Sequence, residues 1–210
     1  MALLRGLKVT LELSVIIWTC GIVLGAILGS AAAHWRKSVG VVFQVTSFIF
    51  SGIPILVFLY WMHYPVQTLL GIIVNPFYTA AVTFTVINVF LVANLVMGVL
   101  RDFPTEYIVA ARVCGLPSRS VLFRIQLPII LRQLIPGLLT TQVIMLQSTL
   151  FASLISVEEI FRVSQQINAR IYRPIEIYTA LGGLFLIVCL PVNGLALYLR
   201  ARFTRSFSEQ

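Results

Sequence analysis

Late in the sequence three pairs of polar residues recur at a spacing of seven: Thr140 with Gln147, Thr141 with Ser148, and Gln142 with Thr149. Seven residues is about two helical turns, so each pair stacks along one side of a helix. The surrounding stretch is apolar, and polar groups in such a place have two uses. They line a wet cavity and meet a solute, or they hydrogen-bond a neighbouring helix. Both readings stand on spacing alone. Asn88 and Asn94 are six apart, point to different faces and do not act as one site. Covalent chemistry has little to work with. His34 and His63 each follow an apolar block and fall at opposite membrane faces, the seven acids are dispersed, and no GxxxxGK[ST] phosphate loop occurs. Cys20, Cys114 and Cys189 lack metal-like spacing and read as small packing groups. Glu12, near one end of the first apolar block, reads as an interface residue whose carboxylate snorkels to water.

The elements that must position these residues are membrane-spanning helices. Hydrophobic residues make up 59% of the 210 and charged residues only 10%, against roughly 25% charged in a soluble domain. The chain is short of the polar surface it would need in water. Five apolar runs reach the roughly 20 residues needed to cross a bilayer: about 9–33, 41–62, 77–100, 129–155 and 177–199. The first is longer than the roughly 7–15 residues of a signal-peptide core, so no cleavable signal is expected. The fold class is therefore all-α integral membrane, a single transmembrane domain over 1–210.

The net charge of +8 follows topology, and no aromatic-basic surface for nucleic acid is visible. With the N-terminus outside, ten basic residues fall inside: Arg36, Lys37, Arg101, Arg112, Arg119, Arg124, Arg132, Arg200, Arg202 and Arg205. Five fall outside: Arg5, Lys8, Arg162, Arg170 and Arg173. The excess favours N-out, C-in. The segment 156–176, with Glu158, Glu159 and Glu176, then lies outside as a short surface helix followed by an extended piece at Arg173-Pro174. Five is odd, so one chain cannot hold two equal inverted halves. A pathway with two-fold symmetry needs a second subunit.

Between spans three and four, the loop 102–128 contains VAARVCGLPSRSVLFRIQLP from Val109 to Pro128, with Arg112, Arg119 and Arg124. Thr105 to Cys114 suits a short helix, with Ile108, Ala111 and Gly115 along one face. Gly115 followed by Pro117 is a helix stop. A second short helix is expected from Ser118 to about Ile125, after which Leu127-Pro128 turns the chain back into the membrane. On these features the loop is either a docking element or an ordinary basic cytoplasmic loop.

The loop resembles the signature of the transmembrane subunits of binding-protein-dependent ABC importers: EAA, three residues, Gly, nine residues, Ile, one residue, Leu-Pro. Here Val109-Ala110-Ala111, Gly115, Ile125 and Leu127-Pro128 match every spacing. GLKVTLELS (Gly6 to Ser14), SGIPILVFLYW (Ser51 to Trp61) and ISVEEIFRVSQQINARIYRPIEIY (Ile155 to Tyr178) look like the polar amino-acid permease branch. The resemblance implies a five-span subunit in the bacterial cytoplasmic membrane that moves an amino acid or similar small polar solute by alternating access. It implies pairing with itself or a sister permease, two cytoplasmic ATPase copies and an extracytoplasmic binding protein. ATP and Mg would sit on the ATPase, with no cofactor on this chain. The loop would be the coupling helix, with Ala110, Ala111 and Gly115 allowing close approach, Pro117 and Pro128 bounding the second segment, and Arg112 and Arg119 pairing with ATPase acids.

Two departures qualify the resemblance. The family's glutamate is Val109 here, and Glu106, one turn upstream, either stands in for it or leaves docking weaker. Where span three of the family commonly carries Glu and Arg, this chain has Asn94 and Met97; where span four often reads Lys-Asp-Thr-Ser-Leu, it has Leu146, Gln147, Ser148, Thr149 and Leu150. A charge-poor pathway of Asn94, Thr141, Gln147, Ser148 and Thr149 suggests one half of a heteromeric pair. The competing classes are a passive channel or secondary carrier, and a scaffold that docks an ATPase without transporting.

Overall fold

The structure is a computed structural model that describes residues 2–208, with side chains described to residue 203. The side chain of Arg205, one of the ten basic residues counted above, lies outside the described residues. Helix α1 spans Ala2–His34, α2 Val39–Ser51, α3 Ile55–His63, α4 Pro65–Leu70 and α5 Pro76–Arg101. Then come α6 (Glu106–Val113), α7 (Ser118–Val121), α8 (Leu127–Ser148), α9 (Ile160–Ile171) and α10 (Pro174–Ser208). Among the described residues there is no strand.

Among the described residues four rods are long and apolar enough to cross a membrane, at 2–34, 76–101, 118–155 and 174–203. The expected second span, 41–62, is not one rod. It breaks at Gly52-Ile53-Pro54, and α2 and the α3–α4 pair meet at 95°. Pro54 sits at φ −58°, ψ 136°, an extended conformation, and brings no N–H to carry the ladder across. At 1.5 Å per residue α2 is about 20 Å long, short of the roughly 30 Å core. Phe50 holds the corner, lying edge-on to Phe58 and stacked on Phe90 of α5.

Packing begins with α1 on α5, which run parallel. Gly21, Gly25 and Gly29 bring the two backbones together: a Cβ on Gly25 would lie 2.7 Å from Cβ of Val92, and one on Gly29 2.5 Å from the Ala93 carbonyl oxygen. Such four-residue spacing of small residues is how membrane helices gain dispersion contact where no hydrophobic effect separates helix from lipid. The core then closes around Leu13, Ile17, Leu59, Phe84, Met145 and Ile155, from α1, α3, α5, α8 and the 3₁₀ turn Thr149–Ile155. Helix α10 covers α8 from the other side, with Cys189 against Val143 and Leu146.

The expected turn at Leu127-Pro128 does not occur. From Ser118 the helix runs unbroken through a π-helical turn at Leu122–Gln126 into α8. Pro128 lacks the N–H that a regular ladder would require, and the widened turn immediately before it absorbs the mismatch. Pro128 is thus inside a rod at the first turn of α8. The segment after span four forms α9 and ends at Tyr172, φ 52°, before α10 starts on Pro174.

Candidate functional site

At one end of the bundle α6 projects from the end of α5. Glu106 lies in its first turn and Arg112 in its last, each sign matched to the helix dipole. The C-terminus is closed by a pair of backbone bonds: Gly115 N–H donates to the Arg112 carbonyl (2.9 Å) and Leu116 N–H to the Ala111 carbonyl (3.1 Å). That pattern requires a left-handed residue, and Gly115 supplies it at φ 73°. Pro117 is extended and its carbonyl accepts from Ser120 N–H (2.8 Å), starting α7 and with it the long rod. A short capped helix is therefore tied by four residues, Cys114 to Pro117, to a membrane-crossing lever.

The faces of α6 differ. Ala111 is buried, and Phe103 packs on Tyr107 beside it. Val109 and Val113, four apart on one face, are 60% and 82% exposed, and Leu116, just past the Gly115 cap, is exposed as well. Glu106 and Ala110 are exposed on that side too, Arg112 and Arg119 are exposed nearby, and Pro128 is half-buried in the rod. An apolar strip rimmed by basic groups, held outside the spans, is suited to a partner's groove. Val109 is continuous with that strip, so the residue that departs from the family pattern extends an apolar contact surface.

Inside the spans the polar stripe divides. Gln142 turns inward and exchanges hydrogen bonds with Asn88 of α5: Asn88 Nδ2 donates to Gln142 Oε1 (2.9 Å), and Gln142 Nε2 to Asn88 Oδ1 (3.3 Å). Asn88 Nδ2 also donates to the Ile17 carbonyl (2.9 Å), and Trp18 Nε1 to the Gln142 carbonyl (3.1 Å). This knot ties α1, α5 and α8 in the core. Thr149 and Ser148 are buried, and Thr141 is half-buried. Their hydroxyls donate to the carbonyls of Leu146, Ile144 and Gly137 within α8. Gln147 is exposed and meets the Cys189 thiol of α10. Asn94 is exposed on another side, donating to Ser47 Oγ of α2 and to the Phe90 carbonyl. The five residues expected to line one pathway are thus not gathered: Asn94 and Gln147 are open, on different sides, and Ser148 and Thr149 face inward. Met97 is buried.

The opposite end is pinned by a side chain the sequence reading did not single out. Glu159 is fully buried and caps α9, its carboxylate accepting from Phe161 N–H (2.9 Å) and Arg162 N–H (2.7 Å). Burial pushes its carboxyl up to about 7, against the pull of those two bonds. Ile160 N–H donates to Thr10 Oγ (3.1 Å), and Gly6 lets α1 close on Ile160. The signal was present: an acid directly before an amphipathic run is an N-cap pattern. Glu12 lies on the surface of α1 and pairs with Lys8 at 3.6 Å.

The model of the family described as "binding-protein-dependent transport system inner membrane component" matches residues 21–205. The chain belongs to that family. It is a membrane-spanning permease subunit of a binding-protein-dependent ABC transport system, in which a separate subunit hydrolyses ATP. Among its relatives is the octopine transport system permease protein of Rhizobium meliloti, 31% identical, with the match covering 88% of this chain and 79% of that one. The histidine/lysine/arginine/ornithine transport system permease protein of Escherichia coli K12 is 23% identical over 96% of this chain and 93% of its own. The fold is shared with a solved structure described as an amino acid ABC transporter with histidines, at a TM-score of 0.83, 20% identity and coverage of 95% and 94%. Permeases of this family work with ATPase and binding-protein partners.

Proposed function

We propose that this permease is one half of an ATP-driven importer for an amino acid or a similar small polar solute, moved by alternating access. The solute class rests on the names of its relatives, which transport octopine and basic amino acids. The observation that carries the drive mechanism is α6, with its apolar strip of Val109, Val113 and Leu116 exposed beside Arg112 and Arg119 and its Gly115 cap joined to the continuous rod 118–155. A groove on one of two cytoplasmic ATPase copies would seat this helix, and the other copy would seat the matching loop of the second permease. Closure of the ATPase pair around ATP and Mg would then pull on α6 and tilt α7–α8 as one body. Glu106, on the same face as Val109, supplies the acid of the motif from one turn upstream.

The α6 end lies in the cytoplasm and the α9 end outside, where the binding protein docks, which gives the N-out, C-in topology in the bacterial cytoplasmic membrane. Of the residues expected to line a pathway, Asn94 and Gln147 are open on different sides of this chain, so a route that meets both would need the second subunit to complete it. Neither carries charge, so a sister permease supplies the charged contacts to the solute. The test is to reconstitute the chain with its ATPase and binding protein, alone and with each candidate sister, and measure solute-stimulated ATP hydrolysis and uptake. Activity only in the mixed pair is expected; full activity as a homodimer would overturn the heteromeric reading.

A further inference from the structure

On α8, Gln133, Thr140 and Gln147 are seven apart and all exposed, so they stack along one side over about 21 Å at 1.5 Å per residue. Ile144 interrupts the strip between Thr140 and Gln147. Across from it, Cys189 of α10 meets Gln147, and Ala196 shares a cavity of about 470 Å³ with Gln133 and Thr140. Asn193 lies four residues after Cys189 and three before Ala196, hence on that same face of α10. It is half-buried, and among the described residues neither its side-chain amide nor that of Gln133 has a hydrogen-bond partner. Arg132 and Arg200 stand at the α6 end of the cavity, where basic residues follow topology.

An amide turned toward hydrocarbon forfeits its hydrogen bonds, so side chains like these face a protein partner or water. A partner helix would cover the strip with matched donors and acceptors; a wet lane would leave it open. The cavity favours the lane, because a polar recess of that size holds water. A side-chain amide offers donors and an acceptor without charge. It can meet the carboxylate and the ammonium of an amino acid in turn and release both, as passage over several weak sites requires. We propose that Asn193, with Thr140 and Gln133, lines the α6-side half of the solute route, a lane between α8 and α10 leading from Gln147 toward the α6 end. The proposal rests on the importer reading and adds to it the contacts along the exit, with Asn193 the one that α10 contributes.

The test is thiol labelling of the assembled complex in proteoliposomes, in an uptake-competent background with Cys20, Cys114 and Cys189 replaced by alanine. The probe is 2-sulfonatoethyl methanethiosulfonate, charged and membrane-impermeant, added on the α6 side; it reacts with thiolate and so needs water at the thiol. Without nucleotide, Asn193→Cys and Thr140→Cys are expected to label at least about tenfold faster than Leu195→Cys, which is also exposed but nearly opposite Asn193 on α10. Trapping with ATP and vanadate should slow both, because the exit closes when the ATPase pair closes. Complete labelling of Asn193→Cys should stop uptake, whereas the same treatment of Leu195→Cys should not. Labelling no faster than at Leu195→Cys would overturn the lane and point to a partner helix over the strip. Uptake that survives complete labelling would overturn it too, as would rates that vanadate leaves unchanged in complexes that trap nucleotide. Trapped nucleotide is counted in the same samples, so a permease that no ATPase drives is recognised by its absence, while the nucleotide-free comparison still decides the lane.

Discussion

Replacing Gln142 by leucine keeps the volume of the side chain and deletes both of its bonds to Asn88. Asn88 Nδ2 keeps the Ile17 carbonyl, but its Oδ1 is left buried with no donor. Leaving one buried polar atom unpaired costs about 1–3 kcal/mol. Asn88→Leu does comparable damage, because it strands both amide atoms of Gln142 and frees the Ile17 carbonyl. The double variant leaves no orphaned amide at the knot, so it should cost less than the two singles together. The difference, the coupling energy, should fall near the 0.6–1.7 kcal/mol found for interhelical hydrogen bonds in membranes. Reversible unfolding in mixed micelles would measure it, with Trp18 fluorescence as a local reporter, since its indole N–H donates to the Gln142 carbonyl. Singles that add to the double within about 0.5 kcal/mol would refute the knot as an interacting unit.

Other variants test other joints. Gly25→Ala must push Val92 and the Val89 carbonyl away and should cost about 1–3 kcal/mol, whereas Gly98→Ala meets nothing within 4 Å and should be neutral or slightly stabilising in the same unfolding measurement. Gly115→Ala also meets no neighbour but must hold φ 73°, so it should lose about 1–2 kcal/mol at the α6 cap, and Gly115→Asn less, read by hydrogen exchange of the α6 amides. Glu159 is raised to about 7 when folded, so the folded state binds its proton more tightly than the unfolded one. Its stability is therefore full below about pH 4.5 and is lost as pH rises toward about 7, by up to about 1.4 kcal/mol per pH unit. Glu159→Gln keeps a cap acceptor and should flatten that slope in a pH series of unfolding midpoints.

Hydropathy located the rods at 2–34, 76–101 and 174–203 because a bilayer demands long apolar runs and little else has them. It missed the break in the second span because mean hydropathy carries no direction: Gly52-Ile53-Pro54 is as apolar as its flanks, and only the proline hinted at a corner. Pro128 misled in the opposite sense, since a proline that ends most helices is here taken up by a π-helical turn. The seven-residue stripe on α8 was legible as a stripe, but its orientation depends on α1 and α5, which put Asn88 opposite Gln142 and so turned that side inward. Hydroxyls such as Thr149 can satisfy themselves on the preceding turn, and composition cannot tell that state from a solute contact. The α6 loop was the most legible part, because glycine and proline act through local backbone geometry. The exposure of its valines became visible only in the folded chain.

The proposed drive mechanism makes α6 the surface through which an ATPase moves the spans. The direct measurement is co-purification of the ATPase together with ATP-dependent uptake in vesicles for Val113→Asp, which puts a charge into the strip at its most exposed residue. Burying a valine is worth about 1.5 kcal/mol or more, and a charge in its place adds a desolvation cost. ATPase retention and uptake are expected to fall together by tenfold or more, about 1.4 kcal/mol or above, while the permease stays folded and membrane-inserted. An ATPase that remains bound, with uptake unchanged, would contradict it.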